Sequence, residues 1–170
     1  MPTLKLLIFD WGDTVMAELP DFVGKMVDAP HVEALPGIGA ALAELQPHYR
    51  MVLASNANLS GPADIRAALH RVNLDAYFEA FFASSVMGAA KPDPAFFEIV
   101  LRECGCVAHE AACIGDTFEK DIIGGKQAGL RAIWYNWKNA IIPADSMLRP
   151  DATIIHHDEL AAAVHRLAHA

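Results

Sequence analysis

The stretch that decides the fold is LLIFDWGDTV, residues 6–15. Its first four residues are apolar without any polar alternation, which predicts a strand buried on both faces, as in a parallel sheet. The run ends at Asp10, and a second carboxylate, Asp13, follows three positions later. A buried strand that ends in a carboxylate brings that side chain to the carboxyl edge of the sheet, where ligands bind in open α/β folds. We therefore predict that Asp10 is a functional residue.

Short apolar runs alternate with helix-periodic stretches along the whole chain, and no internal repeat interrupts them. This alternation predicts an α/β fold with a mostly parallel sheet and helices on both of its faces. The predicted strands cover residues 4–9, 51–54, 81–84, 111–114, 132–135 and, with a weaker pattern, 152–155. Apolar residues at helical spacing predict helices over residues 38–45, 65–72 and 97–104 and from about residue 159. Ser60 and Asp93 precede two of these helices at positions where a side chain can cap the first turn.

A chain of 170 residues is long enough for one well-packed domain and short for two, so we predict a single domain over residues 1–170. Two stretches, residues 17–36 and 136–151, have neither helical nor strand periodicity. Both are predicted to leave the carboxyl edge of the sheet, where long loops are usually functional. We expect residues 17–36 to form a short flap or minimal cap insertion.

Composition excludes several classes of partner. Lys and Arg number 13 against 21 Asp and Glu, and without a basic cluster this net charge of −8 argues against a nucleic-acid partner. No apolar stretch approaches the roughly 20 residues that span a bilayer, and no signal peptide is evident, so we predict a cytoplasmic protein that does not bind membranes. The odd number of cysteines predicts reduced thiols at Cys104, Cys106 and Cys113.

Carboxylates end two of the predicted strands. Asp10 follows the first strand, Asp116 in CIGDTFEKDI follows the fourth, and Asp121 lies on the turn after it. Two carboxylates side by side repel each other unless a cation or a shared proton lies between them. Mg²⁺ suits a site built from one or two carboxylates and a substrate phosphate. The pattern therefore predicts a Mg²⁺ site at this edge of the sheet.

Hydrogen-bond donors follow the other two strand ends. The Ser55 hydroxyl and the Asn56 amide lie in VLASNA, and the Lys91 ammonium lies in GAAKPDP just before a helix. A hydroxyl, an amide and an ammonium beside a metal form a set that binds the non-bridging oxygens of a phosphate. Each residue taken alone has an ordinary explanation as a turn residue or a surface lysine. The ordered combination favours substrate binding by Ser55, Asn56 and Lys91, with a phosphorylated substrate.

The stretches FDWGDTV, LASN, KPDP and GDTFEKD resemble the four ordered motifs of the haloacid dehalogenase (HAD) superfamily of phosphohydrolases, over nearly the whole chain. The resemblance implies a three-layer, Rossmann-like α/β core in which Asp10 is the catalytic nucleophile and becomes an aspartyl-phosphate. The implied Mg²⁺ ligands are the Asp10 side chain, the backbone carbonyl of Gly12 and Asp116, with Asp121 supporting the metal site.

The resemblance also implies catalytic roles for Ser55 and Lys91. Both would bind the transferring phosphoryl group, and Lys91 would restrain the charge of Asp10. The mechanism is physically reasonable, since a carboxylate attacks phosphorus when a metal and an ammonium neutralise the phosphate oxygens.

Position 12 departs from the usual phosphatase motif. A second aspartate normally lies two residues after the nucleophile, where it protonates the leaving alcohol and later deprotonates water, but this chain has Gly12. Loss of a general acid and base lowers a rate by on the order of 10² to 10⁴. Asp13 is the candidate catalytic substitute, brought in by the conformational freedom of Gly12, and its alternative role is that of a turn or capping residue. His31 is a second candidate because its pKa is near neutral.

We therefore predict a Mg²⁺-dependent phosphohydrolase of unknown substrate, slowed by Gly12. One alternative is a catalytically weak protein that binds a phosphorylated ligand. Another is a phosphonatase-like hydrolase, which needs a cap lysine, and Lys25 is the lysine available in the flap region. A flap of about 20 residues leaves the site open, which favours a bulky phosphorylated substrate or a lid from a second subunit, so the chain is expected to be a monomer or a homodimer.

Overall fold

Six parallel strands form one sheet in the computed structural model, which describes residues 3–170. The strands are β1 (Leu6–Phe9), β2 (Arg50–Ser55), β3 (Ala80–Ala83), β4 (Ala111–Gly115), β5 (Arg131–Tyr135) and β6 (Ala152–Ile154). Their order across the sheet is β3-β2-β1-β4-β5-β6, so β1 lies inside the sheet between β2 and β4. The predicted parallel sheet is confirmed.

Helices connect the strands and cover both faces of the sheet. They are α1 (Ile38–Leu45), α2 (Pro62–His70), α3 (Ser84–Met87), α4 (Pro94–Cys104), α5 (Gly124–Gln127) and α6 (Leu160–Ala168). A π-helical turn, Phe118–Ile123, leads directly into α5. Single 3₁₀ turns lie at Met26–Asp28, Asp75–Tyr77, Ala108–Glu110 and His157–Glu159.

The element predictions hold, with shifts of a few residues at the ends. All six predicted strands are present, and α1 covers the predicted residues 38–45. The predicted cap at Asp93 is confirmed, because its carboxylate accepts a hydrogen bond from the Ala95 N–H at 2.9 Å. The predicted cap at Ser60 is wrong: Gly61 is the N-cap residue of α2, and its N–H donates to the Asp64 carboxylate instead.

The chain order of the strands creates a switch point beside β1. From β1 the chain moves to β2 and β3 on one side of the sheet, and then returns to the other side for β4. Ligands of open α/β sheets bind in the crevice at such a point, outside the carboxyl ends of the strands. Asp10 follows β1 and Asp116 follows β4, so the fold places the two carboxylates on either side of this crevice.

Both faces of β1 are buried, which explains its apolar sequence without alternation. Leu7 and Phe9 pack into a cluster with the buried faces of α1, α2 and α6. Leu6 and Ile8 point to the opposite face and pack with side chains of α4. The exposed fraction of each of these four side chains is at most 2%. Burial on this scale is the main favourable term in folding and holds the end of β1 in place.

Residues 17–36 form a short flap that lies on the core. The flap begins where the Ala17 N–H donates to the Glu33 carbonyl at 3.1 Å, so its two ends are joined. At the end of α2 the Arg71 guanidinium donates to the carbonyls of Val27 and Ala29, at 3.0 and 2.7 Å. Across residues 3–170, no large cap domain interrupts the strands and helices.

No disulfide joins the cysteines: Cys104 and Cys113 are buried and Cys106 is half-buried, in agreement with reduced thiols. None of the helices within residues 3–170 has the length and apolar character needed to cross a membrane.

Replacing Leu7 by Ala tests the role of β1 in the core. Leu7 is fully buried in an inner strand, so the substitution leaves a cavity and should lower the free energy of unfolding by about 2–5 kcal/mol. Urea denaturation followed by circular dichroism measures the change. As a control, Val86→Ala removes a side chain that is 66% exposed and should change the free energy of unfolding by no more than about 0.5 kcal/mol. Equal losses in the two variants would contradict the assigned core.

Candidate active site

A tight turn follows β1 and holds Asp10 at the sheet edge. The Asp10 N–H continues the ladder to β4 by donating to the Ile114 carbonyl at 2.9 Å. The Trp11 carbonyl then accepts the Val15 N–H at 2.8 Å, which closes a helical turn. Because the backbone on both sides of Asp10 is hydrogen-bonded, the position of its Cα at the edge of the sheet is fixed.

The left-handed residue of this turn is Asp13. It has a φ of +56°, and its N–H donates to the Met16 carbonyl at 2.7 Å. Gly12 does not adopt positive φ. The expectation that conformational freedom at Gly12 shapes the turn is therefore wrong, because the unusual backbone conformation falls one residue later.

Three carboxylates meet beside this turn. Asp10, Asp116 and Asp121 each offer an oxygen within 4.8 Å of the oxygens of the other two. The Thr14 hydroxyl lies between the first two, 3.1 Å from Asp10 Oδ2 and 3.2 Å from Asp116 Oδ1. A hydroxyl has one hydrogen and donates it to one carboxylate at a time. Thr14 was missed at the sequence level, although its position four residues after Asp10 in the same motif was a usable signal.

The Lys91 ammonium neutralises part of this negative charge. Its Nζ lies 2.8 Å from Asp10 Oδ1, 2.8 Å from Asp121 Oδ1 and 3.1 Å from the Ala54 carbonyl, which uses all three of its hydrogens. Burial alone would lower the pKa of Lys91, but the charges of Asp10 and Asp121 outweigh burial and raise that pKa above its ordinary value. Lys91 is therefore a permanent cation in the site.

The Asn56 amide holds the backbone of Lys91 in place. Its Nδ2 donates to the Lys91 carbonyl and its Oδ1 accepts the Lys91 N–H, both at 2.8 Å. The neighbouring Ser55 is a buried residue at the end of β2, and its hydroxyl makes no hydrogen bond within residues 3–170. Of the two predicted substrate-binding residues of this segment, Ser55 has the free donor, and Asn56 positions Lys91.

Asp121 is buried under the carboxylate cluster. Its Oδ2 accepts the Thr117 N–H at 3.0 Å, while its Oδ1 faces Lys91. A Cβ atom built on Gly115 would lie 2.1 Å from Asp121 Cγ, so residue 115 must be glycine for Asp121 to occupy this position. Both oxygens of Asp121 therefore have hydrogen-bond donors, which fix the orientation of its carboxylate.

The charge balance of the cluster favours a bound cation. Burial raises the pKa of Asp116 well above its ordinary value, and the charge of the adjacent Asp10 adds to the increase. Lys91 offsets only part of the charge of the three carboxylates. Carboxylate oxygens are hard donors of the kind that Mg²⁺ prefers, so the chemistry of this cluster fits the ion.

A second lysine, Lys138, reaches the same edge from the loop after β5. Its Nζ lies 3.2 Å from Asp13 Oδ2 and 3.8 Å from Asp116 Oδ2, and it lies 5.0 Å from the ring centre of Trp137. Lys138 was missed at the sequence level. The usable signal was a basic residue at the start of residues 136–151, a loop that leaves the carboxyl edge of the sheet.

The space beside Gly12 is filled by Glu18. A Cβ atom built on Gly12 would lie 2.7 Å from both Glu18 Cγ and Glu18 Oε1. Partial burial, and then the charges of Asp13 and Asp10, raise the pKa of the Glu18 carboxyl above its ordinary value. Asp13 itself accepts the Glu18 N–H at 2.9 Å through Oδ1. No periodicity in the sequence indicated this contact.

An apolar cavity of about 250 Å³ opens between the flap and the loop after β2. Its lining includes Trp11, Leu19, Phe22, Met26 and Leu59. Trp11, the residue after Asp10, forms part of the cavity wall. The cavity therefore lies next to the turn that carries Asp10. His31, the other flap residue considered as an acid and base, is exposed.

A family model for haloacid dehalogenase-like hydrolases matches residues 9–129. The chain belongs to this family. Human N-acylneuraminate-9-phosphatase is 30% identical over 148 residues, which cover 86% of this chain and 58% of that protein. Phosphoserine phosphatase of Thermus thermophilus is 34% identical over 89 residues, which cover 52% of this chain and 35% of that protein. The chain thus spans only part of the length of these relatives.

Solved structures extend the match to the whole fold. A protein from Listeria monocytogenes serotype 4b has a TM-score of 0.85 at 25% identity, over 98% of this chain and 100% of that one. A 2-haloacid dehalogenase from Pseudomonas syringae pv. Tomato DC3000 has a TM-score of 0.80 at 22% identity, over 97% of this chain and 100% of that one. The predicted HAD-like, three-layer Rossmann-like fold is confirmed.

His157 supports the site from beneath the Asp10 turn. Its Nε2 lies 2.7 Å from the Thr14 carbonyl, an acceptor, so Nε2 carries the proton. Its Nδ1 is buried without a hydrogen-bond partner among the described residues, and the ring stacks on Tyr135 at 4.0 Å between centres. Burial lowers the pKa of His157 to about 4, because a second proton on Nδ1 would have no acceptor.

This pKa predicts a loss of stability in acid. Between about pH 6.5 and pH 4 the unfolded chain binds a proton at this histidine that the folded chain does not, so the free energy of unfolding falls as the pH falls. The loss should reach about 3 kcal/mol. His157→Gln keeps a donor for the Thr14 carbonyl but does not titrate, so its stability should depend less on pH. Urea denaturation of both proteins across this range measures the effect, and parallel pH profiles would contradict it.

Proposed function

We propose that this protein is a Mg²⁺-dependent phosphohydrolase that acts through an aspartyl-phosphate on Asp10. The observation that carries the proposal is the position of the Asp10 carboxylate, between the buried Lys91 ammonium and the Asp116 carboxylate at the switch point of the sheet. Membership of the HAD-like hydrolase family and relatives named as phosphatases support a phosphorylated substrate.

The two oxygens of Asp10 are proposed to have different roles. Oδ2 lies on the side of Thr14 and Asp116, and it is the oxygen assigned to Mg²⁺ together with Asp116 and the Gly12 carbonyl. Oδ1 is held by Lys91 and is assigned to the attack on phosphorus. When bound, Mg²⁺ neutralises charge on the phosphate oxygens, which makes attack by a weak carboxylate nucleophile feasible.

The surrounding residues bind and orient the phosphoryl group. The free Ser55 hydroxyl donates to a phosphate oxygen, and Lys91 supplies positive charge at the same place. Asn56 acts through Lys91, because its amide is engaged on both sides of the Lys91 peptide. Asp121 completes the arrangement, because its Oδ1 lies 2.8 Å from the Lys91 ammonium.

The organic part of the substrate is assigned to the apolar cavity beside the flap. In this proposal residues 1–170 act as one core domain, and residues 17–36 serve as a minimal cap that covers one side of the site. The cavity wall from Leu19, Phe22 and Met26 is apolar, so it suits a substrate with an apolar surface next to its phosphate. A flap held on the core leaves the remaining side open to a bulky substrate.

A second candidate function is phosphate-ligand binding without turnover. The observation that favours it is Gly12, because the usual second carboxyl of the motif is absent from this position. The phosphonatase-like alternative gains no support. A Schiff-base lysine must be neutral, whereas the hydrogen bond and charge of Asp64, 2.9 Å away, raise the pKa of Lys25.

Replacing Asp10 by Asn tests the nucleophile. With Mg²⁺ present, the wild-type protein should release phosphate from p-nitrophenyl phosphate, and Asp10→Asn should abolish the release because an amide does not attack phosphorus. A chelator should stop the wild-type reaction, and added Mg²⁺ should restore it. Asp145→Asn, on an exposed loop residue, is the matched control and should keep full activity. Turnover that survives the chelator would sink the proposal.

Replacing Ser55 by Ala tests the phosphate donor. Removal of one preorganised donor lowers kcat by about 10² to 10³ in other enzymes, and a loss in this range is expected for Ser55→Ala. The fold should be unaffected because the hydroxyl makes no hydrogen bond within residues 3–170. Steady-state kinetics gives kcat and KM, and urea denaturation checks stability. An unchanged kcat/KM would remove Ser55 from the proposed site.

A further inference from the structure

We propose that Glu18 is the general acid and base of this active site. This assignment rests on the proposed phosphohydrolase function and deepens it, because it names the group that protonates the leaving oxygen and later activates water. Position 12 lacks the usual second carboxyl group of the motif, and Glu18 supplies a carboxyl group from another part of the chain.

The Glu18 side chain lies over Gly12. Its Oε1 lies 2.7 Å from the place where a Cβ on Gly12 would be. Its Cγ is equally near, at 2.7 Å, and its Cδ lies 3.2 Å away. The Glu18 carboxyl group therefore lies in the space that a side chain at position 12 would enter.

The Glu18 carboxylate has no polar partner among the described residues. Within residues 3–170, Glu18 makes no side-chain hydrogen bond and no ion pair. By contrast, the carboxylates of Asp10, Asp116 and Asp121 are each tied to a hydroxyl, an ammonium or a backbone N–H. Glu18 is also exposed, so substrate and water can reach it. A proton-transfer group must have an unoccupied oxygen within reach of the reacting atoms.

Asp13, which the sequence suggested as a replacement for the missing general acid and base, has another role in the structure. Its Oδ1 accepts the Glu18 N–H at 2.9 Å, and its Oδ2 pairs with Lys138 at 3.2 Å. Both oxygens are thus engaged away from the reaction. Asp13 is a positioning residue, which anchors the backbone of Glu18 so that the longer glutamate side chain returns over Gly12.

The neighbouring cavity places the leaving group on the same side. Leu19, the residue after Glu18, and Trp11, the residue before Gly12, both line the apolar cavity. The segments that bring Glu18 and Gly12 together therefore also form the wall assigned to the organic part of the substrate. The oxygen that leaves phosphorus belongs to that organic part, so it departs toward the side where Glu18 lies.

The proposed proton transfers balance over two steps. In the first step an Asp10 oxygen bonds to phosphorus, and the bond from phosphorus to the leaving oxygen breaks. The leaving oxygen keeps the electron pair and takes the proton of the Glu18 carboxyl group, which becomes a carboxylate. In the second step that carboxylate takes a proton from water as the water oxygen bonds to phosphorus. The bond from phosphorus to Asp10 then breaks, its electrons return to Asp10, and inorganic phosphate leaves.

The test compares two phosphate esters that differ in their need for an acid. p-Nitrophenyl phosphate has a good leaving group and needs little protonation, whereas propyl phosphate has a poor one. Glu18→Gln should lower kcat for propyl phosphate by about 10² to 10⁴ and should affect p-nitrophenyl phosphate less than about tenfold. Glu44→Gln, at an exposed glutamate of α1, is the matched control and should leave both rates unchanged. Equal effects of Glu18→Gln on the two esters, or no effect on either, would overturn the assignment.

An exchange of positions provides an independent readout. Glu18→Ala removes the carboxyl group and empties the space over Gly12, and Gly12→Asp in the same chain returns a carboxyl group from the other side. The double variant should hydrolyse propyl phosphate at least tenfold faster than Glu18→Ala does. Gly12→Asp alone should lower the urea midpoint, because the new side chain meets Glu18. A double variant no faster than Glu18→Ala, with an intact urea transition, would contradict the exchange.

Failure of this assignment is distinguishable from failure of the proposed function. Asp10→Asn is measured in the same assays with both esters. If Asp10→Asn retains wild-type rates, the proposed function is wrong and Glu18 has no leaving group to protonate. If Asp10→Asn is inactive and Glu18→Gln matches the wild type on propyl phosphate, the function stands and the assignment of Glu18 is wrong. Calorimetry should show equal Mg²⁺ affinity in Glu18→Gln and the wild type, since Glu18 is not among the proposed ligands.

Discussion

Repulsion among three closely spaced carboxylates at one edge of the sheet is the constraint on which the rest of the structure depends. Asp10, Asp116 and Asp121 lie within 4.8 Å of one another, where water screens their charges poorly. Removing such charges from water is expensive unless ion pairs and hydrogen bonds compensate. In this structure the Lys91 ammonium, which contacts Asp10 and Asp121, and the Thr14 hydroxyl offset the repulsion. A divalent cation would relieve what remains.

The same arrangement prepares the site for its proposed chemistry. Groups that are fixed before the substrate arrives stabilise developing charge without reorganising, which is the usual source of a large rate enhancement. Lys91 illustrates this preorganisation, because its ammonium has three protein acceptors and its backbone is held on both sides by Asn56. By contrast, the side chains of Ser55 and Glu18 make no hydrogen bond within residues 3–170, and both are proposed to act on the substrate. The site therefore combines fixed charged groups with two side chains that have no hydrogen-bond partner within residues 3–170.

Much of the fold could be predicted from the sequence because its signals are local. The strands appear as short apolar runs, and α1, α2, α4 and α6 appear as stripes at helical spacing. Asp10, Ser55, Lys91 and Asp116 could be placed at one edge because parallel strands share their carboxyl ends. The cap at Ser60 was wrong because a glycine N–H paired with Asp64 took its place. Short elements such as the π-helical turn at Phe118–Ile123 have no periodicity long enough to recognise.

The sequence by itself determined the parallel sheet, the family and the set of residues at the strand ends, because these follow from hydrophobic pattern and from order along the chain. Only the tertiary structure decided which side chains fill the space between those strand ends. Glu18 covers Gly12 because Asp13 takes a left-handed backbone conformation and binds the Glu18 N–H. Lys138 approaches Asp116 because a loop from β5 crosses the sheet edge. Contacts of this kind depend on the path of a turn in three dimensions, which leaves no periodic signal in the residues themselves.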